Sequence, residues 1–122
     1  MEQPAQGSST PFQLEENLKK ALTELILLHL LSKKPSYIGE LTTQIQEHSN
    51  GTLNIIFPYG AIYRLENAGY IRELEKRIAP DGRRRQYFTI TDPGKVYLDQ
   101  LLSVYTRFTH GIENLLQRGE RE

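Results

Sequence analysis

The chain has 122 residues, 15 basic and 15 acidic side chains, a formal net charge of zero, 38% hydrophobic and 25% charged residues. These values fit one globular domain with a modest core. It has no Cys, which excludes disulfides, thiolate metal centres and cysteine nucleophiles and suits a reducing cytoplasm.

The first stretch, "MEQPAQGSSTPFQ", has no basic-then-apolar order and does not read as an export signal. Its Ser, Gly, Pro and Gln content predicts a disordered lead-in over residues 1–12. A helical period then starts at Leu14. Leu18, Ala21, Leu22, Leu25, Ile26 and Leu28 follow mostly at spacings of three and four, with Glu15, Glu16, Lys19, Lys20 and Glu24 between them. Glu15 and Glu16 are expected in the first turn, where acidic groups favour the helix dipole. Pro35 in "SKKPS" biases Lys34 away from helix and ends the run. Apolar runs such as "LILLHLL" at 25–31 are far too short to cross a bilayer, so a cytoplasmic protein with no membrane partner is expected.

A second helix is expected over about 37–48, with Ile38, Leu41 and Ile45 on one face and "HSNG" as its stop. A third is expected over roughly 55–68, with Tyr59, Ile62 and Leu65 sharing a face, Pro58 in the first turn and "NAG" as terminator. The period then changes from about 3.6 to 2. "YIRELEKRIA" and "RRQYFTIT" flank "APDGR", where Pro80 suits the second turn position and Gly82 can adopt positive φ, predicting a hairpin. A last helix begins with Asp92 as N-cap and Pro93 at its first position. In it Leu98, Leu101, Tyr105, Phe108, Ile112 and Leu115 fall at alternating spacings of three and four, a heptad seam widened by Leu102 and Leu116. So broad a stripe on a terminal helix needs a partner, either the first helix or the same helix of a second subunit.

The neutral total hides a segregation. Residues 1–69 carry five basic and seven acidic side chains, residues 92–122 carry four and five, and residues 70–91 carry six and three, a local net of +3. The excess lies around the turn, and Arg83, Arg84 and Arg85 are consecutive there. Three helices followed by a basic hairpin is the order of a winged helix-turn-helix. In such a fold the third helix enters the major groove and the hairpin, or wing, meets phosphates. The predicted fold is mainly α with a small β-hairpin: a winged helix-turn-helix over 13–91, a C-terminal dimerisation helix over 92–118, and a tail over 119–122.

Three runs carry a family likeness. "YGAIYRLENAGYI" at 59–71 is similar to a Tyr–Pro–x–Leu–x–Arg–Leu–Glu run followed by Gly and a hydrophobic residue. "DGRRRQYFTIT" before "DPGKVYL" matches an Arg-rich turn, a Tyr and a Leu/Ile–Thr–x–x–Gly run, and "PSYIGEL" at 35–41 matches Pro–x–Tyr–Gly–Tyr–Glu–Leu. Over about residues 14–116 the chain resembles the PadR family of transcriptional regulators. It departs from the pattern at Gly60, where Pro is usual, at Pro58, one residue before the Tyr, and at Ile38-Gly39, where Gly-Tyr is usual. The resemblance implies a homodimeric DNA-binding regulator, often a repressor, whose terminal helix builds the dimer. The single short terminal helix looks like the smaller members.

The candidate contacts follow. Arg83, Arg84 and Arg85 either bind phosphate or are a solvated turn. Alternation lets one or two of the three reach DNA, and Arg85 could turn back onto the body. Tyr59 is expected to pack in the core with its hydroxyl near phosphate, while Tyr63 and Arg64 are expected at the surface. Arg64 either reads a base or pairs with a carboxylate such as Glu66 or Glu40. Base readout is expected from the start of the helix, between Asn54 and Tyr59, with Asn54 the strong hydrogen-bonding side chain and DNA shape supplying the rest. Lys33, Lys34 and Tyr37 are weaker DNA candidates. His29, His48 and His110 have no ligand spacing, and His29 is expected packed or at a rim. No catalytic order of Ser, His and Asp, no phosphate-binding glycine loop and no paired carboxylates are found, so neither an enzyme nor a cofactor is expected. Within the family resemblance, a small aromatic effector would sit between dimer helices, where Tyr97, Tyr105 and Phe108 could line a cavity or simply be core. The rival from another class is a winged helix used for protein–protein contact.

Overall fold

The computed structural model describes residues 10–55 and 59–121. In chain order it has α1 (Pro11–Lys33), α2 (Ile38–His48), α3 (Tyr59–Asn67), β1 (Ile71–Glu73), β2 (Arg77–Ile78), β3 (Arg84–Arg85), β4 (Phe88–Ile90) and α4 (Asp92–Arg121). Three helices, an antiparallel hairpin and a long last helix make a winged helix with a helical extension.

α1 starts inside the stretch expected to be disordered. Thr10 is its N-cap, its hydroxyl accepting the Gln13 N–H at 3.0 Å, and Pro11 occupies the first turn, where the missing N–H costs nothing. Glu15 and Glu16 therefore fall beyond the first turn and pair with Lys19 at 3.8 and 3.2 Å. At the other end Lys34 is extended before Pro35, with φ −165° and ψ 154°, as the proline requires. α2 ends as expected, with both Asn50 (φ 54°) and Gly51 (φ 77°) in the left-handed region.

The core gathers one face from every element. Leu27, Leu28 and Leu31 of α1 meet Leu41 and Ile45 of α2, Ala61, Ile62 and Leu65 of α3, Ile71, Phe88 and Ile90 of the hairpin, and Leu98 of α4. Fully burying each larger side chain contributes about 1.5–3 kcal/mol. Tyr59 does not join this face; it is 73% exposed, and the buried stripe of α3 is Ala61, Ile62 and Leu65. The reason is geometric: at about 100° per residue the stripe of Ala61, Leu65 and Ile62 is centred roughly 110° around the helix from Tyr59. The expected helical residues 56–58, including Pro58, lie outside the described residues, and Asn54 and Ile55 have no helical conformation.

The hairpin consists of two ladders. β1 pairs with β4 in the register Ile71↔Ile90, Arg72↔Thr89, Glu73↔Phe88, and β2 pairs with β3 as Arg77↔Arg85 and Ile78↔Arg84. Residues 74–76 on one arm face 86–87 on the other, so the first arm carries an extra residue, a β-bulge that adds twist. This explains the imperfect alternation of "YIRELEKRIA", in which Ile71 is buried but Ile78 is exposed. The turn is as expected: Gly82 N–H donates to the Ala79 carbonyl at 2.8 Å across Pro80 and Asp81, and Gly82 has φ 81°.

The N-cap of α4 is Thr91, one residue before the expected Asp92. Its hydroxyl accepts the Gly94 N–H at 3.1 Å and donates to the Gly69 carbonyl at 2.6 Å, while its own N–H donates to the Tyr70 carbonyl at 3.0 Å. Asp92 then lies in the first turn, favourable for the dipole. α4 extends through Arg121, so the expected tail at 119–122 is helical as far as that residue. The heptad seam divides along it. Leu98 is buried in the protomer's own core and Leu101 and Leu102 pack against it, whereas Tyr105, Phe108, Ile112, Leu115 and Leu116 are exposed.

The glycine in this junction has a packing role. A Cβ on Gly94 would overlap the Tyr70 carbonyl oxygen and stand 2.8 Å from Ile90 Cγ1. Gly94→Ala is therefore expected to destabilise the protein by about 2 kcal/mol through overpacking, despite alanine's higher helix propensity. Urea unfolding of the two proteins at equal concentration checks this, and equal or greater stability of the variant would contradict it.

Candidate nucleic-acid interface

The wing is pinned at its base to the start of α2. Ser36 N–H donates to the Phe88 carbonyl at 3.1 Å, and Phe88 N–H donates back to the Ser36 carbonyl at 2.9 Å. The next residue, Tyr37, meets Tyr87 edge-on with ring centroids 5.4 Å apart. Arg77 lies over the Tyr87 ring at 5.3 Å and Arg85 over the Tyr37 ring at 5.4 Å. Arg77 and Arg85 are direct cross-strand partners, and like charges so placed repel. The two aromatic faces and the Arg85 Nη2–Asp81 Oδ2 ion pair at 2.7 Å offset that repulsion. The hydrogen bond from Arg85 first, and then the Arg83 backbone N–H, hold the Asp81 carboxyl below its usual range; the same Asp81 bond raises Arg85.

The three consecutive arginines thus have different surroundings. Arg85 turns back onto the body, the alternative the sequence allowed. Arg84 shares the opposite face of the ladder with its partner Ile78, and both are exposed. Arg83 is exposed in the turn, its N–H donating to Asp81 Oδ1 at 3.0 Å. Among the described residues Arg83, Arg84, Lys76 and Arg77 form no salt bridge. Lys76 and Arg77 are not among the candidates read from sequence; the register sets Arg77 opposite Arg85, and the mirror symmetry of charge about "APDG" is the available signal.

An open cleft of about 620 Å³ runs between the wing, the start of α2 and α3, bordered by Tyr37, Tyr59, Tyr63 and Arg85. Tyr63, like Tyr59, is largely exposed. Glu66 and Glu73 also border the cleft, and burial first, then the charge of Glu73, pushes the Glu66 carboxyl up. Arg64 is not among the residues of this cleft. It pairs with neither Glu66 nor Glu40, the two carboxylates expected, but with Glu24 of α1, Nε to Oε2 at 3.3 Å. Glu40 instead holds Lys34 at 3.1 Å, while Lys33 is exposed at the last turn of α1. Asn54 is exposed beyond α2, its Oδ1 accepting from Gln46 Nε2 at 3.1 Å.

Two further recesses lie away from the wing. His29 is exposed and borders, with His48, a cleft of about 190 Å³ between α1 and α2. Among the described residues no group of three His, Cys, Asp or Glu is gathered that could hold a metal ion. Tyr97, Tyr105 and Phe108 lie along a groove of about 490 Å³ between α1 and α4, with Leu18, Leu22 and Ile112 among its walls. No helix among the described residues is long and apolar enough to cross a membrane.

The Transcriptional regulator PadR-like family matches residues 27–100, from the buried half of α1 to the first turns of α4. The chain belongs to the PadR-like family. A transcriptional regulator of Clostridium thermocellum superposes with a TM-score of 0.72 at 26% identity, over 80% of this chain and 93% of that one. A PadR-like transcriptional regulator of Bacillus cereus superposes with a TM-score of 0.66 at 25% identity, over 83% and 97%. An uncharacterized protein of Lysinibacillus sphaericus is 28% identical over 94 residues, 75% of this chain and 85% of its own length. The PadR-like fold is the winged helix with a long last helix described above. The family is one of transcriptional regulators rather than enzymes, which implies DNA binding.

In this PadR-like protein Tyr37 meets the wing at Tyr87 and Arg85. Tyr37→Ala removes the edge contact with Tyr87 and the face under Arg85. The Ala79 amide, bonded to the Arg83 carbonyl, is expected to exchange with solvent about fivefold faster in that variant. Exchange at the wild-type rate would mean that Tyr37 does not hold the wing.

Proposed function

We propose that the protein is a sequence-specific double-stranded DNA-binding repressor that acts in the cytoplasm as a homodimer on a palindromic operator. The observation that carries this reading is the common setting of α3 and the wing. Tyr59 and Tyr63 border the same open cleft as the wing base, and beyond it Arg83 and Arg84 are exposed without a carboxylate partner among the described residues. In this reading α3 enters the major groove. Tyr59 and Tyr63 offer ring surface to thymine methyl groups and hydroxyls to bases or phosphate, and Asn54 offers an amide near the start of the helix. Arg83 and Arg84 neutralise phosphates, with Lys33, Lys34 and Tyr37 flanking the backbone. The acidic wall of Glu66 and Glu73 disfavours phosphate within the cleft itself and directs the backbone toward the wing tip.

The unit that binds DNA is residues 13–91, and α4 supplies the dimer. Tyr105, Phe108, Ile112, Leu115 and Leu116 of α4, with Phe12, Leu14 and Leu18 of α1, are exposed large apolar side chains, the kind of surface that a second subunit covers. Leu98, Leu101 and Leu102 support that helix from inside the protomer. A small aromatic effector would meet the groove at Tyr97, Tyr105 and Phe108. Two-fold symmetry gives half-sites about 34 Å apart, or a multiple of that spacing.

The test is binding to a duplex carrying the protein's own promoter, over a salt series, with a random duplex as control. Arg83→Ala and Arg84→Ala are each expected to lower the slope of log affinity against log salt by about 0.9 for every phosphate the arginine neutralises. Unchanged affinity and slope in both variants would remove the wing from the interface. Equal, feeble binding of wild type to both duplexes would favour the protein-contact module instead.

A further inference from the structure

Glu24 stands where three helices meet, and its two carboxylate oxygens serve different ones. Oε2 accepts from Arg64 Nε of α3 at 3.3 Å, and Oε1 accepts from the Tyr97 hydroxyl of α4 at 3.4 Å. Tyr97 in turn stacks on Tyr70, with centroids 4.2 Å apart and planes 15° from parallel. Tyr70 follows the end of α3, its N–H donating to the Leu65 carbonyl at 2.9 Å. α3 is therefore tied to α1 and α4 at two points, through Arg64 and through Tyr70, and both ties run through the Tyr97–Glu24 pair. Burial first, and then the charge of Glu24, raises the Tyr97 hydroxyl, which keeps the proton it donates.

The position of Arg64 separates it from the DNA-facing side chains. Tyr59, Ile62, Tyr63 and Glu66 border the cleft toward the wing, and Arg64 does not. Its guanidinium leans toward α1, and a Cβ on Gly60 would lie 3.5 Å from its Nη1, so the side chain covers the first turn of α3 on the α1 side. The hydrophobic stripe of α3 is only Ala61, Ile62 and Leu65. A stripe that narrow fixes the helix against the core but leaves its roll to contacts at the rim.

We infer that Arg64 is a positioning residue and not a DNA ligand: through Glu24, and from there Tyr97, it sets the roll of the recognition helix against α1 and α4. The inference rests on the DNA-binding reading above and assigns to Glu24 and Tyr97 a role in that binding although neither faces the wing cleft. It also links the α1–α4 groove to the recognition helix, since Glu24 and Tyr97 both border that groove.

The experiment uses the full chain and the promoter duplex, with Glu24→Gln, Arg64→Met, the double variant and Tyr97→Phe, each measured over the salt series. With a partly exposed pair, 63% for Arg64 and 28% for Glu24, the effect is modest. Glu24→Gln, Arg64→Met and the double variant are each expected to weaken binding by about the same factor, roughly three to five, with the salt slope unchanged. Tyr97→Phe is expected to give part of that loss. A phosphate-binding Arg64 behaves differently: Arg64→Met would lower the slope by about 0.9, Glu24→Gln would bind as tightly as wild type or more tightly, and the two effects would not coincide. Any of those results overturns the inference. If Arg64→Met does not fold, Glu24→Gln decides alone, since weaker binding at unchanged slope supports positioning and unchanged or tighter binding refutes it. Failure of the wild type to bind any duplex in a salt-dependent way would instead remove the functional reading, and this inference with it.

Discussion

Two main-chain hydrogen bonds between Ser36 and Phe88 decide where the wing sits against the start of α2. Ser36 is wholly buried and Phe88 nearly so, so breaking either bond would strand backbone groups away from water at a cost of about 1–3 kcal/mol each. The bridge fixes the wing base against the turn into α2 and thereby sets Tyr37 beside Tyr87. From there the alternation of strand faces does the rest: Arg77 and Arg85 lie on the aromatic side, and Ile78 and Arg84 on the other. Pro35 contributes by keeping Lys34 extended, so the chain reaches Ser36 in a conformation that can pair with a strand.

Within a chain of 15 basic and 15 acidic side chains, the cations divide their work. Arg85 is neutralised by Asp81, Lys34 by Glu40, Lys19 by Glu15 and Glu16, and Arg64 by Glu24. What is left exposed and without such a partner in the wing, among the described residues, is Arg72, Lys76, Arg77, Arg83 and Arg84. Four of these five flank the turn, Lys76 and Arg77 before it and Arg83 and Arg84 after it, and a local cluster of that kind suits phosphate better than an evenly basic surface. Along α4, Leu98 is buried, and from Val104 onward the large apolar side chains are exposed.

Much of this was legible in the residues, where the governing physics is local. Pro80 and Gly82 specify their turn through φ alone, Asn50 and Gly51 end α2, and Pro35 stops α1, because each acts within a few bonds. The differences came from longer range or from competing local signals. The stretch ending at Thr10 looks disordered by composition, yet Thr10 and Pro11 are also a helix start. Thr91 and Asp92 are both capping residues, and the Gly69 and Tyr70 carbonyls select Thr91. Tyr59 keeps the three-residue spacing to Ile62 and Leu65, but Ala61 draws the buried stripe to the other side of Ile62 and leaves Tyr59 off it. Glu24 is 40 residues from Arg64 and 73 from Tyr97, and no spacing rule reaches that far. The recognition helix, the wing and the family likeness were readable because they are sequence-contiguous; the ties that orient them are not.

Hydroxyl-radical footprinting of the protein on the DNA around its own promoter tests the central claim most directly. A dimer that lays α3 in the major groove and the wing along the backbone predicts two symmetric protected tracts on one face of the duplex, centred about 34 Å or a multiple apart, with protection at the outer edges abolished in Arg83→Ala/Arg84→Ala. Uniform, sequence-independent protection, or none at concentrations where the protein is folded and dimeric, would contradict it.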